Sequence, residues 1–250
     1  MCSEKMTIRL LVFDIDGVLT DGEARALDLG LLQQLAALNR RAREDASRPA
    51  VTVCTGRPAP YVEVLLQAID GHLPGVYENG AGLYVPETYR FLPHPALDGR
   101  QPMGEVRHRL TETLVHSGFA YFQPGKEHTL TLFASNPAET PLLRDEATAA
   151  LGELAQELDF LYSPSCLNIL PRGMQKWRGI EFLASYSGYD PAGMLGVGDS
   201  DVDVPFLQNV GYSAAPANAN EAVRSVVQYV APRPSSQGVR DILRHFQITG

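Results

Sequence analysis

The sequence predicts an α/β fold, a parallel-sheet core interrupted by a smaller α+β insert. Three observations predict it. Short apolar runs such as Leu11-Val12-Phe13 and Met194-Leu195-Gly196-Val197 alternate with segments of helical apolar spacing, the pattern of strands buried between crossover helices. Two of those runs end in acidic clusters, Asp14-Ile15-Asp16-Gly17 and Gly198-Asp199-Ser200-Asp201-Val202-Asp203. From about Pro86 to Ser165 the rhythm changes to helix, strand, helix, strand. The expected division is therefore a core of residues 1–85 and 166–250 with an inserted domain of residues 86–165.

Taken in order, Arg9–Phe13 reads as a buried strand. Leu27–Arg43 carries Leu27, Leu31, Leu35 and Leu38 at helical spacing. Pro49–Cys54 is a second buried strand, closed by the turn Thr55-Gly56-Arg57-Pro58, and Tyr61–Ile69 is a short helix. Val76–Val85 reads as strand, turn, strand. In the insert, helices are expected at Met103–His116 and Pro141–Leu158, and strands at Thr129–Phe133 and Phe160–Tyr162. The core pattern resumes with a strand at Leu167–Leu170, a helix at Lys176–Tyr186, the strand Met194–Val197 and a helix at Val204–Leu207. A short strand and helices near Glu221–Val227 and Val239–Phe246 finish the chain.

Bulk properties exclude several classes. At 250 residues the chain can bury a sizeable core. A formal charge of −8, with no long Lys/Arg run, argues against a nucleic-acid partner, because nothing compensates a phosphate backbone. Arg40–Arg43 reads as a solvated helix end, where cations suit the helix dipole. Cys2, Cys54 and Cys166 have neither metal-ligand spacing nor a disulfide framework, which suits a reducing cytoplasm. No apolar run reaches membrane-spanning length, and the one after Arg9 stops at Asp14, too soon for a signal-peptide core.

The acidic clusters carry the chemistry. Ligands of open α/β sheets bind outside the carboxyl ends of the strands. Carboxylates gathered there repel one another unless a cation or a proton intervenes, and an all-oxygen set suits Mg²⁺. Of the pair Asp14 and Asp16, one can attack phosphorus while the other gives and takes protons. Gly17 frees the backbone for close approach. The Thr55 hydroxyl and the amides after it, from Gly56, can hold a phosphate oxygen. Lysine is scarce, with only Lys5, Lys126 and Lys176, so Lys176 at a helix start after Gly173 is a candidate point charge for the nucleophile and the phosphoryl oxygens. Asp199 and Asp203, four apart on a turn entering a helix, can face one ion; Asp201 between them points elsewhere. Some residues stay open. Arg57 meets substrate or pairs with a surface acid, and Asn79 is a turn residue or a substrate contact. Lys126 and His128 meet an anionic substrate tail or form a solvated hairpin tip. Trp177 reads as core packing.

Together, Asp14-Ile15-Asp16-Gly17-Val18-Leu19, Thr55-Gly56-Arg57, Lys176 and Gly198–Asp203 resemble, in order, the four signatures of the haloacid dehalogenase-type phosphatase superfamily. The insert between the second and third is similar to the α/β cap of the Cof-type branch. Glu78-Asn79-Gly80-Ala81 and Asn218-Ala219-Asn220-Glu221 add to the likeness. Val18 and Val202 depart from it, standing where relatives commonly carry Thr and Asn. The resemblance implies a Rossmann-like core with an α+β cap domain and a Mg²⁺-dependent phosphatase working through an aspartyl phosphate. It implies Asp14 as nucleophile and Asp16 as general acid/base. Thr55, Gly56, Lys176, Asn79 and Arg57 would hold the phosphoryl group and substrate. The implied metal set is Asp14, the backbone carbonyl of Asp16, and Asp199, with Asp203 orienting bound water. The implied partner is a small phosphorylated metabolite, either a sugar phosphate or a phosphoglycolate-like acid, with the insert placed in the chain to close over the core strands. A phosphomutase of the phosphomannomutase type is the nearest alternative, disfavoured because the insert shows no Arg cluster for a second phosphate. A receiver-type phosphoacceptor would be half as long and lack the insert. A phosphate-binding protein without turnover would not need both Asp14 and Asp16.

Overall fold

The computed structural model describes residues 7–97, 102–163 and 165–248. The chain divides into two compact units, Met1–Leu92 with Gln175–Gly250, and Pro93–Met174.

The first unit opens with β1 (Leu10–Phe13), α1 (Leu29–Glu44), β2 (Ala50–Val53) and α2 (Ala59–Ala68), then β3 (Gly75–Tyr77), β4 (Gly82–Val85) and β5 (Arg90–Pro93). Helix α1 starts two residues later than its leucine spacing suggests, because Asp28 caps it, accepting from the Leu31 amide at 2.9 Å. Asp28 also takes a two-pronged bond from Arg240, at 2.6 and 2.9 Å, which holds its carboxyl well below the usual carboxylate range.

In the second unit, α3 (Met103–Leu110) runs into a wider turn at Thr111–Val115, followed by β6 (Ala120–Phe122), β7 (Leu130–Ala134), α4 (Leu143–Leu151), β8 (Leu158–Tyr162) and β9 (Leu167–Pro171). Its sheet is antiparallel, in the order β6-β7-β9-β8. Leu130, Leu132, Leu167 and Ile169 pack on Val106 and Leu110 of α3 and on Leu143, Ala147 and Leu151 of α4. The long helix expected over Pro141–Leu158 is shorter. Pro141 lies in a 3₁₀ turn, and Gly152 takes a left-handed φ of 58° at the helix end.

The first unit then resumes with α5 (Lys176–Ser187), β10 (Met194–Val197), α6 (Val204–Leu207), β11 (Tyr212–Ala215), α7 (Glu221–Arg224), β12 (Tyr229–Val230) and α8 (Ser235–His245). Its main sheet is parallel throughout, in the order β12-β11-β10-β1-β2. Successive residues of β1 serve opposite faces. Leu11 and Phe13 pack with α1, α2 and α8, through Leu31, Leu35, Leu65 and Ile242. Leu10 and Val12 pack with α5 and α6, through Ile180, Leu183 and Phe206. Burial on both faces is why these strands read as unbroken apolar runs.

The strand expected at Leu167–Leu170 exists, but it belongs to the second unit's sheet rather than to the core. It pairs antiparallel with β7 and β8, so the division falls at Met174/Gln175 instead of 165/166. The polar Asn168 in mid-strand fits this, since an antiparallel sheet buries one face more than the other. The short strands β5 and β6 carry too little alternation to be read from sequence. Chain order also places a topological switch between β1 and β10: the chain winds from β1 to β2 on one side and from β10 through β11 to β12 on the other. The crevice at such a switch is where open α/β sheets bind ligands.

Candidate active site

Parallel register brings the signature residues together. Phe13 lies opposite Val197 on one side and Val53 on the other, so the chain leaves all three strands at one edge of the sheet. Asp14 is the first residue past β1, and Thr55 and Asp199 are each the second residue past β2 and β10. Oxygens of Asp14, Asp199 and Asp203 lie within 4.8 Å of one another, and this is a metal-competent group among the described residues. Gly17, at φ +82°, makes the closeness possible: a Cβ there would sit 2.0 Å from Asp199 Oδ2.

Lys176 enters this cluster from the start of α5. Its Nζ is 2.8 Å from Asp14 Oδ1 and donates to Asp203 Oδ1 at 2.6 Å, with the lysine side chain only 1% exposed. Asp203 is saturated on its other oxygen too. Oδ2 accepts from the amides of Asp199 and Ser200 at 3.0 Å and from the Ser200 hydroxyl at 3.1 Å. Asp203 thus ties the lysine to the loop that carries Asp199. Burial pushes the Asp14 carboxyl up to about 7, with Lys176 pulling it down and Asp203 pushing it up. Burial, with Asp14 and Asp203 nearby, pushes Asp199 up to about 8. For Lys176, burial favours the neutral amine, but Asp14 and Asp203 outweigh it and raise its pKa. The crowded carboxylates therefore carry less than full charge without a cation, and their oxygen donors, fewer than a cation needs, suit a hard divalent ion that keeps waters.

Asp16 does not join the cluster. Arg57 holds its carboxylate in a fork, Nε to Oδ2 and Nη2 to Oδ1, each at 2.7 Å. The acid that Arg57 pairs with is thus Asp16, a residue of the first signature. Thr55 is buried, and its hydroxyl accepts from the Arg57 amide at 3.2 Å. Asn79 lies against Gly56, where a Cβ would be 3.0 Å from its Oδ1, and its amide donates to the Thr55 carbonyl at 2.9 Å. Glu78 and Asn79 both hold left-handed φ, 50° and 56°, a conformation natural for Asn and costly for Glu. Gly80 lets that turn press on the start of α5: a Cβ there would be 2.3 Å from the Gln175 carbonyl.

Asn218, part of the family likeness with no role implied by it, borders the cluster. Its Nδ2 donates to the Gly17 carbonyl at 2.9 Å and to Asp199 Oδ2 at 3.2 Å, and its Oδ1 accepts from the Ser235 amide at 2.8 Å. Asp201 points away, exposed and accepting from Asn220 at 2.8 Å. Val18 is buried in the core, and Trp177 packs on the face shared by α5 and α6. In the other unit, Lys126 is not a solvated tip. It is buried, with its Nζ bonded to Thr131 Oγ1 and, at 3.2 Å, to Asn168 Oδ1. Cys54 and Cys166 are buried thiols, and Cys2 lies outside the described residues. No helix among the described residues is long and apolar enough to cross a membrane.

Known proteins resemble this chain in sequence and in fold. Residues 127–243 match the family of haloacid dehalogenase-like hydrolases. A phosphoglycolate phosphatase of Haloarcula marismortui is 30% identical over 211 residues, covering 84% of this chain and 85% of its own. The chain belongs to the haloacid dehalogenase-like hydrolases. A second relative, the phosphoglycolate phosphatase of Methanopyrus kandleri, is 26% identical over 246 residues, 94% of this chain and 95% of its own. A solved structure from Thermoplasma acidophilum shares the fold, with a TM-score of 0.74 at 21% identity over 96% of this chain and 99% of that one. This haloacid dehalogenase-like hydrolase is accordingly a phosphatase.

Proposed function

We propose that the protein is a Mg²⁺-dependent phosphomonoesterase that hydrolyses a small phosphorylated acid through an aspartyl phosphate on Asp14. The observation that carries this reading is Lys176, 2.8 Å from Asp14 inside a cluster of three carboxylates at the sheet's switch point. Lys176 holds Asp14 at a fixed angle and keeps positive charge where phosphoryl oxygens arrive. An Asp14 oxygen forms the new bond to phosphorus as the ester P–O bond breaks, and Asp16 gives its proton to the leaving oxygen. Asp16 then takes a proton from the water that cleaves the aspartyl phosphate, which restores both groups. Thr55 and the Gly56 amide hold a phosphoryl oxygen, with Asn79 beside them. Asp14, the Asp16 carbonyl and Asp199 are the proposed metal ligands, and Asp203 acts behind them by fixing Lys176 and the Asp199 loop. Bound Mg²⁺ supplies charge neutralisation between these carboxylates and the phosphoryl group. The names of the two curated relatives support phosphoglycolate as the first ester to try. Phosphate release from a panel of esters, with and without Mg²⁺, tests the reading, and undiminished activity after exhaustive chelation would refute the metal's role.

The raised carboxyls make metal binding pH-dependent. With Asp14 near 7 and Asp199 near 8, the folded metal-free protein holds protons that the unfolded chain has already lost. Its stability from these groups is full below about pH 4 and drains away as pH rises through about 7 to 8. A cation must displace those protons, so its stabilisation grows over the same window. The rise in Tm on adding Mg²⁺ should be larger near pH 8 than near pH 6. Equal rises at both would mean that Asp14 and Asp199 are not the ligands.

Asp16→Asn should lose about 10²–10⁴-fold in kcat on phosphoglycolate, whose leaving alkoxide needs a proton. The loss on p-nitrophenyl phosphate should be far smaller, because that leaving group needs no proton. Unchanged activity on phosphoglycolate would remove Asp16 from the acid role.

A further inference from the structure

The Arg57–Asp16 pair does something the phosphatase reading leaves unexplained. The group assigned as general acid is held at both oxygens, facing a guanidinium rather than a leaving group. Arg57 is fixed at its base and open at its tip. Its amide donates to Thr55 Oγ1 at 3.2 Å, and its carbonyl accepts from the Glu78 amide at 3.0 Å. Its guanidinium lies 5.1 Å from the centre of the Tyr61 ring. The two paired side chains stay 18% and 27% exposed, so a dissolved anion can reach the fork. Arg57 also directly follows the Thr55-Gly56 turn. An anionic group a few bonds from a phosphate held at that turn therefore arrives at the same guanidinium.

We propose that Arg57 is a positioning residue that changes partners. It holds the Asp16 carboxylate until a carboxylate carried by the substrate takes over its fork, leaving Asp16 free to turn to the ester oxygen. The inference rests on the phosphatase reading and narrows its substrate class to phosphate esters with a carboxylate close to the ester oxygen. The exchange keeps the guanidinium paired and leaves the Asp16 carboxylate without its cation, so Asp16 takes up a proton from solvent and then has one to give the ester oxygen. An ester of a neutral alcohol offers Arg57 nothing in return and leaves Asp16 held. Binding the right substrate thereby releases the acid, and a substrate without the carboxylate is turned over slowly rather than merely bound weakly.

The test measures kcat and KM for wild type, Arg57→Ala and Arg57→Lys on phosphoglycolate, ethyl phosphate and p-nitrophenyl phosphate. Arg57→Ala should lower kcat/KM on phosphoglycolate by about 10–100-fold, the scale of a charge-assisted bond. On ethyl phosphate its kcat should rise, because Asp16 is no longer held. Arg57→Lys should recover only part of the phosphoglycolate rate, since an ammonium cannot make the fork. The ratio between two esters on one protein is insensitive to a partial loss of folded enzyme. Equal losses on phosphoglycolate and ethyl phosphate, or no loss on either, would overturn the exchange. Wild-type protein inactive on all three esters would overturn the underlying reading instead.

Discussion

Asp14→Asn should lower kcat by about 10⁴–10⁶-fold while leaving the protein folded. The size follows from the absence of a substitute nucleophile. Asp203 has both oxygens engaged, one by Lys176 and one by the Asp199–Ser200 loop. Asp16 is held by Arg57, and Asp199 accepts from Asn218 at 3.2 Å. The fold survives because Asn has the shape of Asp and removes one charge from a crowded, buried set. Lys176 keeps Asp203 at 2.6 Å, so its own charge stays paired. The Tm of the metal-free variant should match or slightly exceed that of wild type, and no acid-stable phosphoenzyme should be trapped. Residual turnover above about 1% would point to a nucleophile elsewhere.

Lys176→Met should be the most destabilising single change at the site. The side chain is fully buried and is the cation shared by Asp14 and Asp203, themselves buried. Methionine nearly fills the volume but leaves two carboxylates facing each other without a counter-charge. Removing one partner of a buried pair costs about 3–5 kcal/mol. The loss should depend on pH in a definite direction. Without the lysine, Asp14 loses the charge that pulls it down and rises further above its unfolded value. The folded variant then binds protons that the unfolded chain does not, and its stability falls as pH increases. Urea unfolding of wild type and variant near pH 6 and near pH 8 should show the larger gap near pH 8, with Mg²⁺ recovering part of it. A loss below about 1 kcal/mol, typical of exposed pairs, would mean that the cluster is far better solvated than its burial indicates.

Several elements of the fold are legible in the sequence at their exact bounds. Met194–Val197 and Val204–Leu207 were expected at the bounds the structure has, because an apolar run stopped by Gly-Asp, and a short apolar turn after it, leave little freedom. Elements flanked by weaker signals drifted. Helix α2 begins at Ala59 rather than Tyr61, with Pro60 in its first turn, where a missing amide costs nothing. The last helix begins at Ser235, inside a stretch whose Pro and Ser content reads as a linker. Its register is held from a distance, by Asn218 on the Ser235 amide and Asp28 on Arg240.

By itself the sequence determined which segments are buried strands, where each strand ends, and which acidic and hydroxyl residues stand at those ends. These are local properties, set by the alternation of side chains and by the residues that a turn tolerates. Only the tertiary structure decided who faces whom. Lys176 spans Asp14 and Asp203, Arg57 takes Asp16 across 41 positions, and Asn218 reaches Gly17 across 201. It also decided that Leu167–Pro171 joins an antiparallel sheet rather than the core. The reason is physical. An apolar pattern reports that a face is covered but carries no information about what covers it. A charged side chain likewise reports a need for a partner, and the return path of the chain selects which one it meets.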